Sequence, residues 1–305
     1  MINGIINVYK ERGFTSFDVV AKLRGILHEK KIGHTGTLDP DATGVLPVCV
    51  GNATKVCELL TDKDKVYETV LHLGIVTDTQ DASGKIIEEH QKEAEMLSEE
   101  EVRAVIDSFV GIYSQIPPMY SALKVNGKKL CDLARAGIEV ERKARNVSIF
   151  SIEIQEMKLP FVSMRVHCSK GTYIRTLCAD IGERLGVGGS MDALLRTRVS
   201  VFSLENAHTL AEIEACQRRG ELEELLLPVD SVFEGLPKVR IKEESFRLLQ
   251  NGNRLVEENF EEKTTFLSGD DRRLLVYDPN GRFYAVYQYN EDTKDFKVLK
   301  MFGAG

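Results

Sequence analysis

Between residues 33 and 46 the chain reads Gly33-His34-Thr35-Gly36-Thr37-Leu38-Asp39-Pro40-Asp41-Ala42-Thr43-Gly44-Val45-Leu46, setting a histidine and two carboxylates among three glycines and a proline. Glycine reaches backbone angles closed to other residues, and Pro40 fixes its own φ and removes a donor. Such a stretch is a shaped loop, and shaped loops on rigid scaffolds often carry function. An imidazole can stack, hydrogen-bond or move a proton, and a carboxylate can act as nucleophile or base. The same composition also makes an ordinary polar turn, in which Asp-Pro is a common pair. Taken alone, the loop leaves both readings open and gives Asp39 and Asp41 equal standing.

The remaining reactive residue types narrow the chemistry. Cysteines at 49, 57, 131, 168, 178 and 216 form no CxxC pair, and the six histidines form no HExxH pattern. The thiols read as reduced, in a cytosolic protein, and a metal enzyme is not expected. No signal-peptide pattern is expected near the N-terminus, where Ile5, Ile6 and Val8 are followed at once by Lys10 and Glu11, and no apolar stretch is long enough to span a bilayer. The net charge of -7 argues against a nucleic-acid partner, but it hides an uneven distribution. Acids dominate Glu88 to Glu101, where Lys92 is the single base, whereas bases dominate Lys124 to Arg145 (Lys124, Lys128, Lys129, Arg135, Arg142, Lys143, Arg145). Phosphate binding depends on such local fields more than on total charge, although a charge cluster can equally be a solvated face.

The elements that must position these residues follow from periodicity. A chain of 305 residues, 43% hydrophobic and 29% charged, is globular and long for one core, so two domains are expected. Residues 3–8 read as a short strand. Thr15 or Ser16 caps a helix to about Leu27, with Phe17, Val20, Leu23 and Leu27 as its inner stripe. Val45 to Val50 reads as a buried strand whose Pro47 places it at an edge or a strand end, and Thr54 to Leu60 as a helix. Lys65 to Gly74 alternates, with Tyr67, Thr69, Leu71 and Leu73 on one face. Ser98 and Glu101 form a capping pair before a helix. Asn126-Gly127 marks a turn inside the basic segment. Val147–Ile154 and Phe161–Cys168 read as strands joined by a short connection, and Lys170-Gly171-Thr172 leads into a helix faced by Ile174, Leu177, Cys178, Ile181 and Leu185. Tyr173 and Arg175 fall in its first turn, where an arginine opposes the helix dipole and so needs another task. Glu205 to Leu227 reads as acidic and helical. Beyond Leu236-Pro237 the tail forms strands around Pro279-Asn280-Gly281, a small β-rich module with its own core.

With these landmarks in place, the chain resembles the bacterial tRNA pseudouridine synthase B family over essentially its whole length. The resemblance rests on the Gly33–Leu46 loop, on Lys65-x-Tyr67 leading to Leu73-Gly74, on Ile116-Pro-Pro-Met-Tyr120-Ser-Ala, and on Cys168-Ser-Lys-Gly-Thr-Tyr173-Ile-Arg175-Thr-Leu177. Four separated motifs in order are specific where any one alone is weak. The resemblance implies an α+β fold: a pseudouridine-synthase catalytic domain over residues 1–235, with a mixed, mainly antiparallel sheet and flanking helices. An RNA-binding insertion would lie at about 120–146, and residues 236–305 would form a PUA-like β-barrel. Two departures stand out. The usual Asp-Lys-Pro-x-Gly turn is here Tyr9-Lys10-Glu11-Arg12-Gly13, and Cys131 stands where many members carry tyrosine.

The implied activity is conversion of the T-loop uridine of tRNA, position 55 in tRNA numbering, to pseudouridine. It would need no cofactor and no metal, and would act in the cytoplasm as a monomer without an obligatory protein partner or a membrane. The reaction breaks the bond between ribose C1′ and uracil N1, turns the base and joins C1′ to C5, so its first step resembles glycosidic cleavage assisted by a carboxylate. The family's motifs assign Asp39 as that carboxylate, Arg175 as its cationic partner, and Tyr67 as a ring against the target base that could also serve in proton transfer. Asp41 is then read as solvent-facing. Tyr173 becomes a wall of the site, and His34 the residue that braces the gap left by the extruded base. Lys10 is expected to contact the RNA loop or its phosphates, and Lys124, Lys128, Lys129 and Arg135 to contact the RNA backbone. Two other readings compete: an RNA-binding or tRNA-folding protein with vestigial catalysis, and a guide-RNA-dependent relative of the same family.

Overall fold

The strand Lys65–Leu73 sits at the middle of the main sheet, paired along both of its edges. Its alternation holds as expected, with Tyr67, Thr69, Leu71 and Leu73 buried along one face. The structure, a computed structural model, describes residues 2–121, 123–125, 127–263 and 272–303, apart from the side chain of Lys129. Among them a nine-stranded sheet runs in the order Gly4–Lys10, Thr43–Val50, Gly189–Val199, Lys65–Leu73, Phe161–Cys168, Arg145–Lys158, Gly111–Gln115. The short strands Ile32–His34 and Phe202–Ser203 lie beside Thr43–Val50 and Gly189–Val199. The long pairings are antiparallel, and the one parallel contact joins Leu195 and Arg196 to Thr43 and Gly44. The α+β class and the mixed, mainly antiparallel sheet are as the sequence implied.

Helices cover the face that carries Tyr67. The helix Ile174–Arg184 lays Ile174, Leu177, Cys178 and Ile181 onto Leu71, Met164 and Val166, and Val102 and Ile106 of the Glu99–Asp107 helix close the same core. Each fully buried leucine or isoleucine there contributes about 2 kcal/mol of transfer free energy.

Several local expectations change. The Ser16–Leu27 helix is capped by Thr15, whose side chain and that of Asp18 exchange bonds with each other's backbone. That start sets the phase so that Ser16, Val19, Val20, Leu23 and Leu27 face inward and Phe17 is 65% exposed. Pro47 lies inside the sheet rather than at an edge. Its carbonyl accepts from the Thr35 amide, so its nitrogen faces the gap between the Ile32–His34 pairing and the parallel contact with Gly189–Val199, where no donor is required. Residues Gly51–Val56 form a 3-10 turn before a short helix, Cys57–Thr61, in place of one helix from Thr54. The acidic stretch after Glu205 holds only one α-helix, Leu210–Arg219, stopped by Gly220 at φ 76°. The turn expected at Asn126-Gly127 falls on a residue outside those described, although Lys124–Val125 and Lys128–Lys129 pair across it.

The tail forms a four-stranded sheet, Lys238–Arg240, Arg273–Tyr277, Phe283–Asn290 and Asp295–Met301, and among the described residues it is not a closed barrel. Its core is not wholly its own. One face packs Val239, Leu274, Val276, Tyr287 and Phe296 together, but Leu275, Val286 and Phe302 join Ile5, Val45, Cys49 and Phe233 of the main body. Lys55 Nζ also donates to the Met301 carbonyl at 2.7 Å. The strand pattern alone predicts a self-contained core, and only the packing shows that the main body shares it.

Candidate active site

The Asp39 loop is pinned on both sides of the aspartate. Before it, the Ser16 hydroxyl accepts from the Leu38 amide at 2.9 Å, and the Leu38 side chain is buried beside Tyr67. After it, the Pro40 carbonyl accepts from the Gly13 amide at 2.9 Å and from Lys10 Nζ at 3.1 Å, and the Ala42 amide turns back onto the Asp39 carbonyl. From beneath, the Arg196 guanidinium donates to the carbonyls of Val45 (2.7 Å), Thr37 (3.4 Å) and Gly36 (3.4 Å). Gly44 crosses the backbone of the same arginine at φ 108°, and a Cβ there would stand 2.2 Å from the Arg196 carbonyl oxygen. The glycine is required by that close approach.

Arg175 is the hub of the site. It is the second residue of the Ile174–Arg184 helix, and its side chain is only 7% exposed. Nη2 donates to Asp39 Oδ1 at 3.1 Å and to the Tyr120 carbonyl at 2.8 Å, while Nη1 donates to Asp81 Oδ2 at 3.2 Å. This is the task that an arginine in an unfavourable helix turn called for. Burial pushes the Asp39 carboxyl above the usual carboxylate range; Arg175 pulls it back, and the Asp81 charge raises it further. Asp39 therefore stays anchored while its proton affinity exceeds that of a free aspartate, a condition suited to a carboxylate that must form or support a bond.

Tyr67 and Tyr173 both lie within the electrostatic reach of Asp39. Tyr67 is buried among Leu38, Ala42 and the helix residues, and burial raises its phenol pKa. Tyr173 is half-buried and caps the helix N-terminus. Its amide donates to Gln115 Oε1 at 2.8 Å and its carbonyl accepts from Gln115 Nε2 at 3.0 Å. His34 ends the Ile32–His34 strand half-buried, with Nδ1 accepting from the Gly36 amide at 3.3 Å; burial and the Arg196 charge lower its pKa, so its ring is neutral. Asp41 is exposed opposite Arg12, facing solvent as expected.

Lys10 departs from expectation. It is fully buried, and its ammonium donates to the carbonyls of Phe14 (2.6 Å), Glu11 (3.1 Å) and Pro40 (3.1 Å). It braces the Asp39 loop and presents no surface charge to a phosphate. Burial lowers its pKa to about 8. The basic segment begins beside the site, since the Tyr120 carbonyl belongs to the Arg175 cluster, and Lys124, Lys128 and Arg135 are exposed beyond it. The side chain of Lys129 lies outside the described residues.

Three residues of the site were not singled out from sequence. Asp81 lies in Thr77-Asp78-Thr79-Gln80-Asp81-Ala82-Ser83-Gly84, and its Oδ1 accepts from Thr79 Oγ1 (2.8 Å), Ser83 Oγ (2.5 Å) and the Ser83 amide (3.0 Å). The density of Asp, Thr and Gly was a turn signal, but nothing in it announced an arginine 94 residues away. Gln115 and Arg196 carry no local signal at all.

These contacts define a carboxylate site on an α+β scaffold, with an arginine-held aspartate near two tyrosines. The family model described as "TruB family pseudouridylate synthase (N terminal domain)" matches residues 24–174, and the "tRNA pseudouridylate synthase B C-terminal domain" matches residues 175–234. The chain is 56% identical to the tRNA pseudouridine synthase B of Lachnoclostridium phytofermentans, covering 99% of this chain and all of that one. It is 45% identical to that of Clostridium tetani, covering 98% and 99%. Among solved structures, a Cbf5-Nop10-Gar1 complex contains a chain superposing with a TM-score of 0.74 at 29% identity, covering 98% of this chain and 85% of that one. The chain belongs to the TruB family of pseudouridine synthases.

Proposed function

We propose that the protein converts the T-loop uridine of tRNA, position 55 in tRNA numbering, to pseudouridine, with Asp39 as the reacting carboxylate. The observation that carries this reading is the Arg175 cluster. One buried guanidinium holds Asp39, Tyr67 and Tyr173 lie within the electrostatic reach of that carboxylate, and the basic segment starts at the same point. Asp39 attacks or stabilises the cation that develops as C1′ parts from N1. Tyr67 lies against the turned base, and the C5 proton leaves once C1′ and C5 are joined. No oxidant or group donor enters the balance, because the bond broken and the bond formed belong to one nucleotide.

A stacked uridine must leave the T-loop to reach Asp39. His34, neutral and half-buried on the same loop, is suited to brace the vacated place. Residues 1–235 would form the catalytic unit, and residues 236–305 a PUA-like module adding RNA surface. The relatives at 45–56% identity are named as tRNA enzymes, whereas the Cbf5 likeness is at 29%. That contrast favours a self-sufficient tRNA enzyme over a guide-dependent one. Incubating the protein with an unmodified T-arm hairpin tests the reading. Pseudouridine at the loop uridine, lost in Asp39→Asn while hairpin affinity stays within about 1 kcal/mol, is expected because phosphate contacts dominate binding. Binding without product would leave a tRNA-binding protein, and product only with added guide RNA would make it a guide-dependent enzyme.

A further inference from the structure

Arg196 is one of the largest fully buried side chains in the molecule, and among the described residues no carboxylate forms an ion pair with it. A guanidinium carries five N–H donors. The carbonyls of Gly36 and Thr37 in the loop and of Val45 in the following strand take three of these donors. Across the sheet its register partner is Tyr67, so the two side chains stand on the same face of neighbouring strands, where phenol and guanidinium act on each other electrostatically. A permanently charged group buried without an anion is costly unless an anion forms beside it at some stage. The titratable groups facing Tyr67 are Arg196, Cys168 and Asp39, and Arg196 is the cation among them. Burial chiefly, and the Arg196 charge in addition, lower the pKa of Lys10, Lys65 and His34.

We propose that Arg196 is a positioning residue for the reaction. It fixes the Tyr67 ring against the Asp39 loop and stabilises the Tyr67 oxygen while that oxygen lacks its proton. The inference rests on the pseudouridine-synthase reading above. In the isomerisation N1 gains one proton and C5 loses one. A phenol that passes its proton to N1 and then receives the C5 proton returns to its starting state, and its oxygen is anionic in between. The electron pair of the broken C5–H bond returns to the uracil ring. The guanidinium couples both ends of the chemistry, because the same group that meets the phenol also ties down the loop on which Asp39 is mounted.

Arg196→Lys keeps the charge and loses the planar fork. Single-turnover pseudouridine formation on the T-arm hairpin should fall at least about 10-fold while hairpin affinity stays within about 2-fold, the pattern of an interaction used in the transition state. The limb of the pH–rate profile that belongs to Tyr67, identified by its move to lower pH on 3-fluorotyrosine incorporation, should move to higher pH in the variant. An unshifted limb, the absence of any such limb, or an affinity loss equal to the rate loss overturns the proposal. Tyr67→Phe keeps the core filled and reports the same contact from the other side. The Arg196 side-chain signals in the 15N spectrum should shift in that variant, and unchanged signals overturn the proposal even where Arg196→Lys does not fold. Wild-type protein that makes no pseudouridine fails the functional reading instead, and the spectral arm then judges the Arg196 contact alone.

Discussion

Replacing Asp81 by asparagine tests whether the second carboxylate holds the hub in place. Arg175 Nη1 lies 3.2 Å from Asp81 Oδ2, with the two side chains 7% and 13% exposed. Unit charges about 4 Å apart at an effective dielectric of about 20 attract by about 4 kcal/mol. Asparagine forfeits that attraction and turns an amide N–H toward the arginine's own donors. It also removes the desolvation of one anion, so the net loss is about 2 kcal/mol, less than the 3–5 kcal/mol of a broken buried pair. The Oδ1 contacts to Thr79 and Ser83 survive, which confines the damage to the arginine side. With one tether gone, Asp39 is less well aimed, and single-turnover rate should fall about 10- to 100-fold. The acid limb of the rate should nevertheless move to lower pH, because the Asp81 charge is one of the groups holding the Asp39 carboxyl up. Urea unfolding and a pH series on the T-arm hairpin measure all three effects. A stability change below about 0.5 kcal/mol together with an unchanged rate would refute the shared-arginine argument, and an acid limb moving upward would refute its electrostatics.

Three further outcomes follow from the same geometry. Asp39→Asn should unfold no more easily than wild type at neutral pH. The folded carboxyl pKa lies above 3.8, so wild-type stability falls as pH rises through that window, and the gap should close toward pH 3.8 in urea titrations; a large destabilisation at neutral pH would count against it. Gly44→Ala places a methyl group 2.2 Å from the Arg196 carbonyl at a backbone φ of 108°, and a loss of at least about 3 kcal/mol is expected in a thermal melt. A melt like that of wild type would mean that the Gly44–Arg196 crossing is not as close as it stands. Charge reversal at Lys128 and Arg135 should weaken tRNA binding and flatten its salt dependence, by roughly 0.7–0.9 in log–log slope for each phosphate contact removed. An unchanged slope would place the RNA on another face.

Periodicity alone places the Lys65–Leu73 strand, its inward Tyr67 and the Ile174–Arg184 helix, since a two-residue or 3.6-residue apolar repeat is a local property of the chain. The loop from Gly33 to Leu46 is likewise legible as a shaped segment, and the arginine misplaced in a helix dipole signals a distant partner. Phe17 and Pro47 mislead because a helix phase is set by its cap and a strand's neighbours by the whole sheet, neither of which is contained in the residue itself. Sequence could likewise rank Asp39 above Asp41 only through motifs shared with a family. The fold does so physically, bringing Arg175 to one carboxylate and leaving the other beside Arg12 in solvent. Asp81, Gln115 and Arg196 emerge only when elements far apart in the chain are packed together, because their roles lie in partners 94, 58 and 151 residues away. The chain's residue types specify which elements form and which groups can react; long-range packing decides which buried charge meets which carboxylate.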